Sequence, residues 1–175
     1  MKYLKPILIV LVVGIVGLAS YWKFSKVPNT APLKSSLLVS LEPDSLKTRV
    51  QGSGQKLFLI NLWATWCAPC KVEFPALLKV AKEFSQIDLI LISLDGNDEL
   101  LAAEEFLKSH GVSFKSYFKG DQDMEVLAAQ IPSWNGAIPS SFLVNNKLEI
   151  VESWVGETTE EDFRAKILPH IANSN

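Results

Sequence analysis

Several features that mark particular protein classes are scarce or missing in this chain of 175 residues. Two cysteines are too few for a scaffold held together by disulfides. Positive charge is not in excess, since 17 Lys and Arg stand against 19 Asp and Glu, and this excludes a nucleic-acid-binding protein built on a basic surface. Internal repeats and low-complexity segments are absent, and a hydrophobic fraction of 48% excludes a disordered chain. The composition therefore favours a conventional folded domain.

The first 26 residues differ from the rest in charge and hydropathy. They contain four lysines and no acidic residue, and Pro6 to Trp22 is an uncharged run close to the shortest length that spans a bilayer as a helix. We predict a membrane anchor over residues 1–26, with a cleaved signal segment as the alternative because Gly17-Leu18-Ala19 is a weak cleavage site. Two lysines lie on each side of the run, so charge counting leaves both orientations open. We predict a linker over residues 27–40 and one domain over residues 41–175.

The predicted domain alternates between the patterns of buried strands and amphipathic helices. Strands are predicted over 56–63, 87–94 and 112–118, and helices over 67–85, 97–109 and 121–131. A hairpin over 137–144 and 148–155, joined at Asn145-Asn146, precedes a last helix over 159–172 that Thr159 and Asp162 start like a capping box. This order predicts an α/β fold with parallel strands, helices on both faces and an antiparallel edge.

The two cysteines, Cys67 and Cys70, lie where a predicted buried strand meets a predicted helix. The unpaired N–H groups and the dipole of a helix N-terminus favour an anion, so we expect a lowered pKa for the Cys67 thiol. Pro69 fits the first turn, where no backbone donor is needed. Cys67 is the predicted attacking sulfur, and Cys70, nearly one helical turn further on, is the predicted resolving thiol.

Two other interpretations of the cysteine pair stay open. A zinc site needs four ligands, and the chain offers only His110 and His170, which lack the spacing of metal sites. An inert structural pair is the second alternative, although the boundary between strand and helix is the position that activates a thiol. We expect no metal and no cofactor beyond a redox-active Cys67–Cys70 disulfide.

The segment from Asn61 to Pro75, NLWATWCAPCKVEFP, resembles the active-site segment of the TlpA/ResA/CcmG group of membrane-anchored, thioredoxin-like thiol-disulfide oxidoreductases. Residues 136–143, GAIPSSFL, are similar to the cis-proline strand of that group, and the strand and helix predicted over 112–131 match its insertion before this strand. The resemblance implies a thioredoxin fold, with a central mixed sheet flanked by helices, and an N-terminal transmembrane helix. Residues 37–55 match poorly, so the two-stranded N-terminal hairpin of the group is in doubt here.

The resemblance also implies site residues. Pro139 matches the cis-proline that faces the cysteines, where the backbone of Ile138 pairs with an extended substrate segment. Glu73 matches a glutamate near the disulfide that can relay protons to the thiols, with an exposed surface glutamate as the alternative. Asn61 stands where many thioredoxins carry a buried aspartate, so that proton-exchanging role is vacant unless Glu73 fills it.

The predicted substrate surface is made of residues around the attacking sulfur. The residues assigned to it are Trp66, Ala68, Pro69, Ile138 and Pro139. Trp66 would shield the sulfur and offer an apolar contact, with plain packing as the alternative. Trp134 is a further candidate for the rim of this groove, whereas His110 and His170 receive no role.

The resemblance implies a function outside the cytoplasm. It implies a reductant of protein disulfides in the bacterial cytoplasmic membrane, with a single membrane span, an extracytoplasmic domain and a membrane thiol carrier as electron donor, often in cytochrome c maturation. Its partners are protein disulfides or dithiols, and no nucleic acid is expected. A disulfide-donating oxidase of the same fold is the alternative direction.

Three other functions place different requirements on the residues around the cysteines. A peroxide-reducing thiol protein typically needs a threonine three residues before its reactive cysteine, where this chain has Ala64. A Sco-type metallochaperone spaces its cysteines by three residues and adds a histidine that is missing near the hairpin. A binding module that docks partners without turnover would not need the two cysteines.

Overall fold

A fully buried strand runs through the middle of the sheet and leads to the cysteine pair. The computed structural model describes residues 35–131 and 133–172 of the chain. Every residue of Leu57–Trp63 is buried, as its unbroken apolar run predicts for a strand with neighbours on both edges.

The described elements follow one another in this order: β1 (Leu38–Ser40), α1 (Ser45–Gln51), β2 (Leu57–Trp63), α2 (Ala68–Glu83), β3 (Ile87–Ser93), a 3₁₀ turn (Asn97–Glu99), α3 (Leu100–Ser109), β4 (Ser116–Phe118), α4 (Met124–Gln130), β5 (Ser140–Asn145), β6 (Ile150–Val155) and α5 (Glu160–Ala172). The three βα units from β2 to α4 and the closing hairpin followed by α5 confirm the predicted order of elements, and β1 and α1 precede them. β4 and α4 form the predicted insertion before β5.

The strands form one mixed sheet of six in the order β1-β4-β3-β2-β5-β6. β1, β4, β3 and β2 are parallel, and β5 and β6 add the predicted antiparallel edge. Because β5 is antiparallel to β2, the first residue of β5 lies beside the C-terminal end of β2, with Ser140 opposite Leu62. The loop before β5 is therefore brought to the end of the sheet from which the cysteines emerge.

An aromatic cluster attaches the cysteine-bearing helix α2 to the sheet. The ring of Phe74 lies 5.3 Å from that of Trp63 on β2 and 4.9 Å from that of Phe106 on α3, measured between centroids. Phe74 is fully buried, as its place in the predicted apolar stripe requires. Aromatic contacts of this kind add to the stability that area burial alone supplies, so they hold α2 firmly on β2.

The N-terminal part of the described structure corrects one boundary. β1 lies inside the segment predicted as a linker over residues 27–40, and it pairs with β4. This segment forms a strand because Leu38 and Leu41 are both buried in the core. Residues 37–55 form this short strand and helix α1, so no two-stranded hairpin is present there.

Three predicted strands are shorter than expected. Val112 belongs to the end of α3, since its N–H donates to the Leu107 carbonyl at 3.0 Å, and the strand predicted over 112–118 begins only at Ser116. Residues 137–139 form a loop before β5. Leu148 lies in the hairpin turn with a φ of 64°, a conformation that ends strand pairing, so β6 begins at Ile150.

The predicted membrane anchor, residues 1–26, lies outside the described residues, as do residues 27–34 of the predicted linker. Among the residues that are described, no helix has both the length and the apolar character needed to cross a bilayer.

Candidate active site

The cysteine pair occupies the first turn of α2. Cys67 is the N-cap of this helix, and its sulfur accepts a hydrogen bond from the Cys70 N–H at 3.3 Å. The two cysteines form a disulfide with their Cα atoms 5.3 Å apart, so the structure shows the oxidised state. Pro69 lies in the first turn, as predicted, where its missing N–H costs no helical hydrogen bond.

The surroundings of Cys67 are open to solvent. Trp66 is 59% exposed, and Ala68 and Pro69 are exposed as well. Cys67 itself is buried, with 6% of its surface exposed. Trp66 is therefore not a plain packing aromatic, and its predicted role in shielding the sulfur and contacting substrate stays a prediction.

The loop before β5 contains the predicted proline. The Ile138–Pro139 peptide bond is cis. Pro139 is buried and its carbonyl accepts the Gly156 N–H at 2.9 Å, whereas Ile138 is half-buried. Trp134 does not form an exposed rim, because it is buried and its indole N–H donates to the Ala137 carbonyl at 2.8 Å. Trp134 thus supports this loop from its inner side.

Glu73 is a buried carboxylate on the same helix as the cysteines. Only 2% of it is exposed, so the alternative of a surface glutamate is wrong. Its Oε1 accepts from the Asn61 side-chain amide at 2.9 Å, and its Oε2 accepts from the Thr158 backbone N–H at 2.9 Å. Burial raises the pKa of Glu73 to about 7, with Glu157 adding to the rise, although the hydrogen bonds from Asn61 and Thr158 oppose it.

Asn61 links Glu73 to the strand that follows the proline loop. Its amide nitrogen donates both to Glu73 and, at 3.1 Å, to the Ser141 hydroxyl on β5. Its Oδ1 is buried without a hydrogen-bond partner among the described residues. Position 61 has an amide where many thioredoxins have a carboxylate, and the carboxylate of Glu73 on α2 lies directly beside that amide.

Asp95 is a site residue that the sequence analysis missed. It is fully buried just after β3 and accepts hydrogen bonds from Thr65, in the loop before Cys67, and from Ser93. The available signal was its place directly after a buried strand, at the edge of the sheet from which β2 also leads to the cysteines. Thr158, Thr65 and Ser141 carried no such signal, because only the folded chain brings the two threonines to Glu73 and Asp95 and the serine to Asn61.

The two histidines contact residues other than the cysteines. The His110 ring packs on Phe106 and Phe74, and His170 faces Glu152 at 3.5 Å. Within residues 35–131 and 133–172, no group of three or more Cys, His, Asp and Glu side chains is arranged to hold a metal ion.

The sheet order, the Cys67–Cys70 disulfide at the start of α2 and the cis-proline loop beside it define a thioredoxin-like protein. The model of the AhpC/TSA family matches residues 39–153, and the chain belongs to this family. Similarity to ResA proteins and to a solved structure confirms both the resemblance to this group and the thioredoxin fold.

Two relatives carry the name thiol-disulfide oxidoreductase ResA. The protein from Bacillus subtilis is 35% identical over 107 residues, which are 61% of this chain and 56% of that relative. The protein from Halalkalibacterium halodurans is 30% identical over 136 residues, or 76% of this chain and 73% of the relative. The crystal structure of StoA from Bacillus subtilis superposes with a TM-score of 0.52 at 26% identity, covering 65% of this chain and 83% of that chain. The chain is accordingly a thiol-disulfide oxidoreductase.

Proposed function

We propose that the protein reduces protein disulfides on the outer side of a bacterial cytoplasmic membrane, with Cys67 as nucleophile and Cys70 as resolving thiol. The observation that carries this proposal is the arrangement of the pair. Cys67 caps α2 among exposed residues, whereas Cys70 lies in the interior one turn before the buried carboxylate of Glu73. Exchange needs both features, a sulfur set among exposed residues where a substrate can approach and a proton acceptor to activate the second thiol.

The reaction then runs in two displacements. The Cys67 thiolate attacks a substrate disulfide, which forms a mixed disulfide and releases one substrate thiolate. Cys70 gives its proton to the Glu73 carboxylate and attacks the Cys67 sulfur, which forms the Cys67–Cys70 disulfide and releases the second substrate thiolate. The protein loses two electrons and the substrate gains them. A dithiol on a membrane carrier would reverse these steps and return the pair to its reduced form.

Electrostatics support the proposed direction of electron flow. A strongly oxidising pair is one whose reduced form is stabilised, as when the attacking thiolate meets positive groups. Here the charged group next to the interior cysteine is a carboxylate, which disfavours a neighbouring thiolate when ionised. The reduced form is thereby less stabilised, and this supports a reductant over a disulfide donor.

The proposed substrate surface consists of the exposed Trp66, Ala68 and Pro69 with the half-buried Ile138, and the buried Pro139 provides the cis bond of the loop that carries Ile138. The exposed indole of Trp66 offers apolar contact to a polypeptide, and Ala68 and Pro69 leave space above the sulfur. Apocytochrome c is a candidate substrate, because its cysteines must be free for haem attachment and because the resemblance to the TlpA/ResA/CcmG group implies a role in cytochrome c maturation. An anchor over residues 1–26 would hold the domain at the membrane.

The reduction potential of the full chain tests the proposal. The protein is equilibrated with dithiothreitol or glutathione buffers, and the Cys67–Cys70 state is measured by thiol labelling. A potential near that of thioredoxin, about −270 mV, supports a reductant supplied with electrons across the membrane. A potential near about −120 mV would make the protein a disulfide donor and contradict the proposed direction.

A further inference from the structure

Asp95 is a buried carboxylate that the exchange steps above do not use. It lies two residues after β3 and is fully buried. The Thr65 N–H donates to its two oxygens at 3.0 and 3.2 Å, and the Thr65 hydroxyl donates to Oδ1 at 2.6 Å. The Ser93 hydroxyl donates to Oδ2 at 2.6 Å. Both oxygens therefore receive donors, which is the pattern that an ionised carboxylate takes.

These hydrogen bonds hold the loop that leads into the nucleophile. Thr65 lies between the end of β2 and Cys67, and the Cys67 N–H donates back to the Ala64 carbonyl at 3.2 Å. The loop is tied to the neighbouring strand as well, since the Leu94 N–H donates to the Trp63 carbonyl at 2.8 Å. The position of Cys67 thus depends on a side chain from another part of the sequence.

The charge of Asp95 lies close enough to act on Cys67. The Cα atoms of Thr65 and Cys67 lie at most about 7 Å apart, and the bond from Thr65 to Asp95 adds 3.0 Å. With the bonds from these Cα atoms to the Thr65 nitrogen and the Cys67 sulfur included, the Asp95 carboxylate lies within about 14 Å of the sulfur. Screening in about 0.1 M salt extends over about 10 Å and is weaker for buried charges. All the hydrogen-bond partners of Asp95 named above are neutral, so they orient its charge without neutralising it.

We propose that Asp95 is a positioning residue that holds the Thr65 loop and at the same time disfavours the Cys67 thiolate, which strengthens the protein as an electron donor. The proposal rests on the proposed function, because it presupposes exchange through Cys67. The negative charge opposes the effect of the α2 N-terminus on the same sulfur. Losing Asp95 would stabilise the thiolate and with it the reduced pair.

Other ionisable side chains lie on the described elements that flank the cysteine pair. Glu73 faces the pair from α2 itself, and Lys71 on the same helix has an exposed side chain. Glu157, after β6, acts on Glu73. Residues 133–139, in the loop before β5, include no ionisable side chain. Asp95, just after β3, is thus the carboxylate bound to the loop that leads into Cys67.

The test compares the pH profile of Cys67 alkylation in the reduced full chain, from about pH 5 to pH 10, with labelling at Cys67 identified by mass spectrometry. Asp95→Asn removes the charge and retains an oxygen that can accept from Thr65. Asp95→Ser is a second variant without the charge, and it leaves space for water beside Thr65. Asp121→Asn is the matched control, because Asp121 is exposed and accepts from a backbone N–H and a side-chain amide of Asn97 in a similar way. Far-UV circular dichroism checks that each variant is folded.

We expect the alkylation midpoint of the variants without the charge to fall by about one pH unit, which is up to about a tenfold larger thiolate fraction at pH 7. At about pH 9, where thiolates are populated, the equilibrium constant with dithiothreitol should shift up to about tenfold towards reduced protein, or about 30 mV. Asp121→Asn should match the wild type. Thr65→Val, which keeps the charge and loses the hydroxyl bond, should not lower the midpoint.

A folded variant without the charge that has the wild-type midpoint would overturn the role of Asp95. That outcome is distinct from failure of the proposed function, because the wild type would still reduce insulin disulfides at a low potential. A wild-type chain that does not exchange disulfides, or does so at the potential of a disulfide donor, would instead remove the function on which the proposal rests.

Discussion

The two sulfurs of the active site are neighbours in sequence but lie in different environments. Cys67 is surrounded by exposed residues, among them Trp66, and lies at the helix N-terminus. Cys70 is 1% exposed and lies one turn before Glu73, whose carboxylate is bound by Asn61 and Thr158. In the proposed mechanism the outer sulfur meets the substrate and the inner side takes the proton, so two tasks are divided within one turn of helix. The following predictions test this division.

The largest effect is expected from the cysteines themselves. Cys67→Ser should abolish reduction of insulin disulfides, because no accessible thiolate remains to attack. Cys70→Ser should accumulate a mixed disulfide through Cys67, since the resolving step is lost. Mass spectrometry of the trapped species distinguishes the two sulfurs, and trapping through Cys70 instead would reverse the assignment.

Glu73→Gln should change both exchange and stability. The pKa of Glu73 is raised from 4.5 to about 7 in the folded protein, so folding favours its protonated form. The folded protein is thus penalised progressively as the pH rises from about 4.5 to 7, by about 3 kcal/mol at the upper end if the unfolded chain has the ordinary pKa. Glu73→Gln should lack this loss of stability and should also shift the pH dependence of thiol reactivity.

Urea unfolding of the wild type and the variant at a series of pH values measures the difference. Glu105→Gln, a change at an exposed glutamate of α3, is the control and should keep the wild-type pH dependence. A parallel pH dependence of stability in wild type and Glu73→Gln would contradict the burial of an ionisable Glu73.

Asn61→Asp should change the pH profile of thiol reactivity, with an effect smaller than that of Glu73→Gln. It places a second carboxyl group 2.9 Å from Glu73 if the side chain keeps its position, and two carboxylates at that distance cannot both ionise easily. The pair should share a proton over a wider pH range, which moves the pH profile of Cys70 reactivity upward. Ser141→Ala removes the other partner of Asn61 without adding charge, and it should leave the profile near that of the wild type.

Trp66→Ala should have the smallest effect on the fold. Because Trp66 is 59% exposed, its loss should change the free energy of unfolding by no more than about 0.5 kcal/mol. The kcat/KM for a protein substrate should fall several-fold, whereas the rate with a small disulfide should stay the same. Leu101→Ala removes another exposed apolar side chain and should affect neither substrate. Equal losses with both substrates would place Trp66 in the chemistry of Cys67 instead of in substrate contact.

Elements with strong local patterns were predictable. The apolar run of β2 and the three- and four-residue spacing of α2 predicted both elements to within a few residues. The boundaries failed where a long-range or capping contact decided them, as at β1, which pairs with β4, and at Val112, which completes the end of α3. The poor match over residues 37–55 was a real signal, since a strand and helix replace the hairpin there.

The sequence by itself determined the chemistry and its place. Two cysteines separated by two residues, after a buried strand and at the start of a helix, are local features that act over a single turn. The tertiary structure alone decided the electrostatic environment of that pair. Glu73 is joined to Asn61 across 12 residues and to Thr158 across 85, and Thr65 is joined to Asp95 across 30. The free energy of a buried charge depends on which groups surround it in space, and those groups come from strands and loops that meet only when the sheet is assembled.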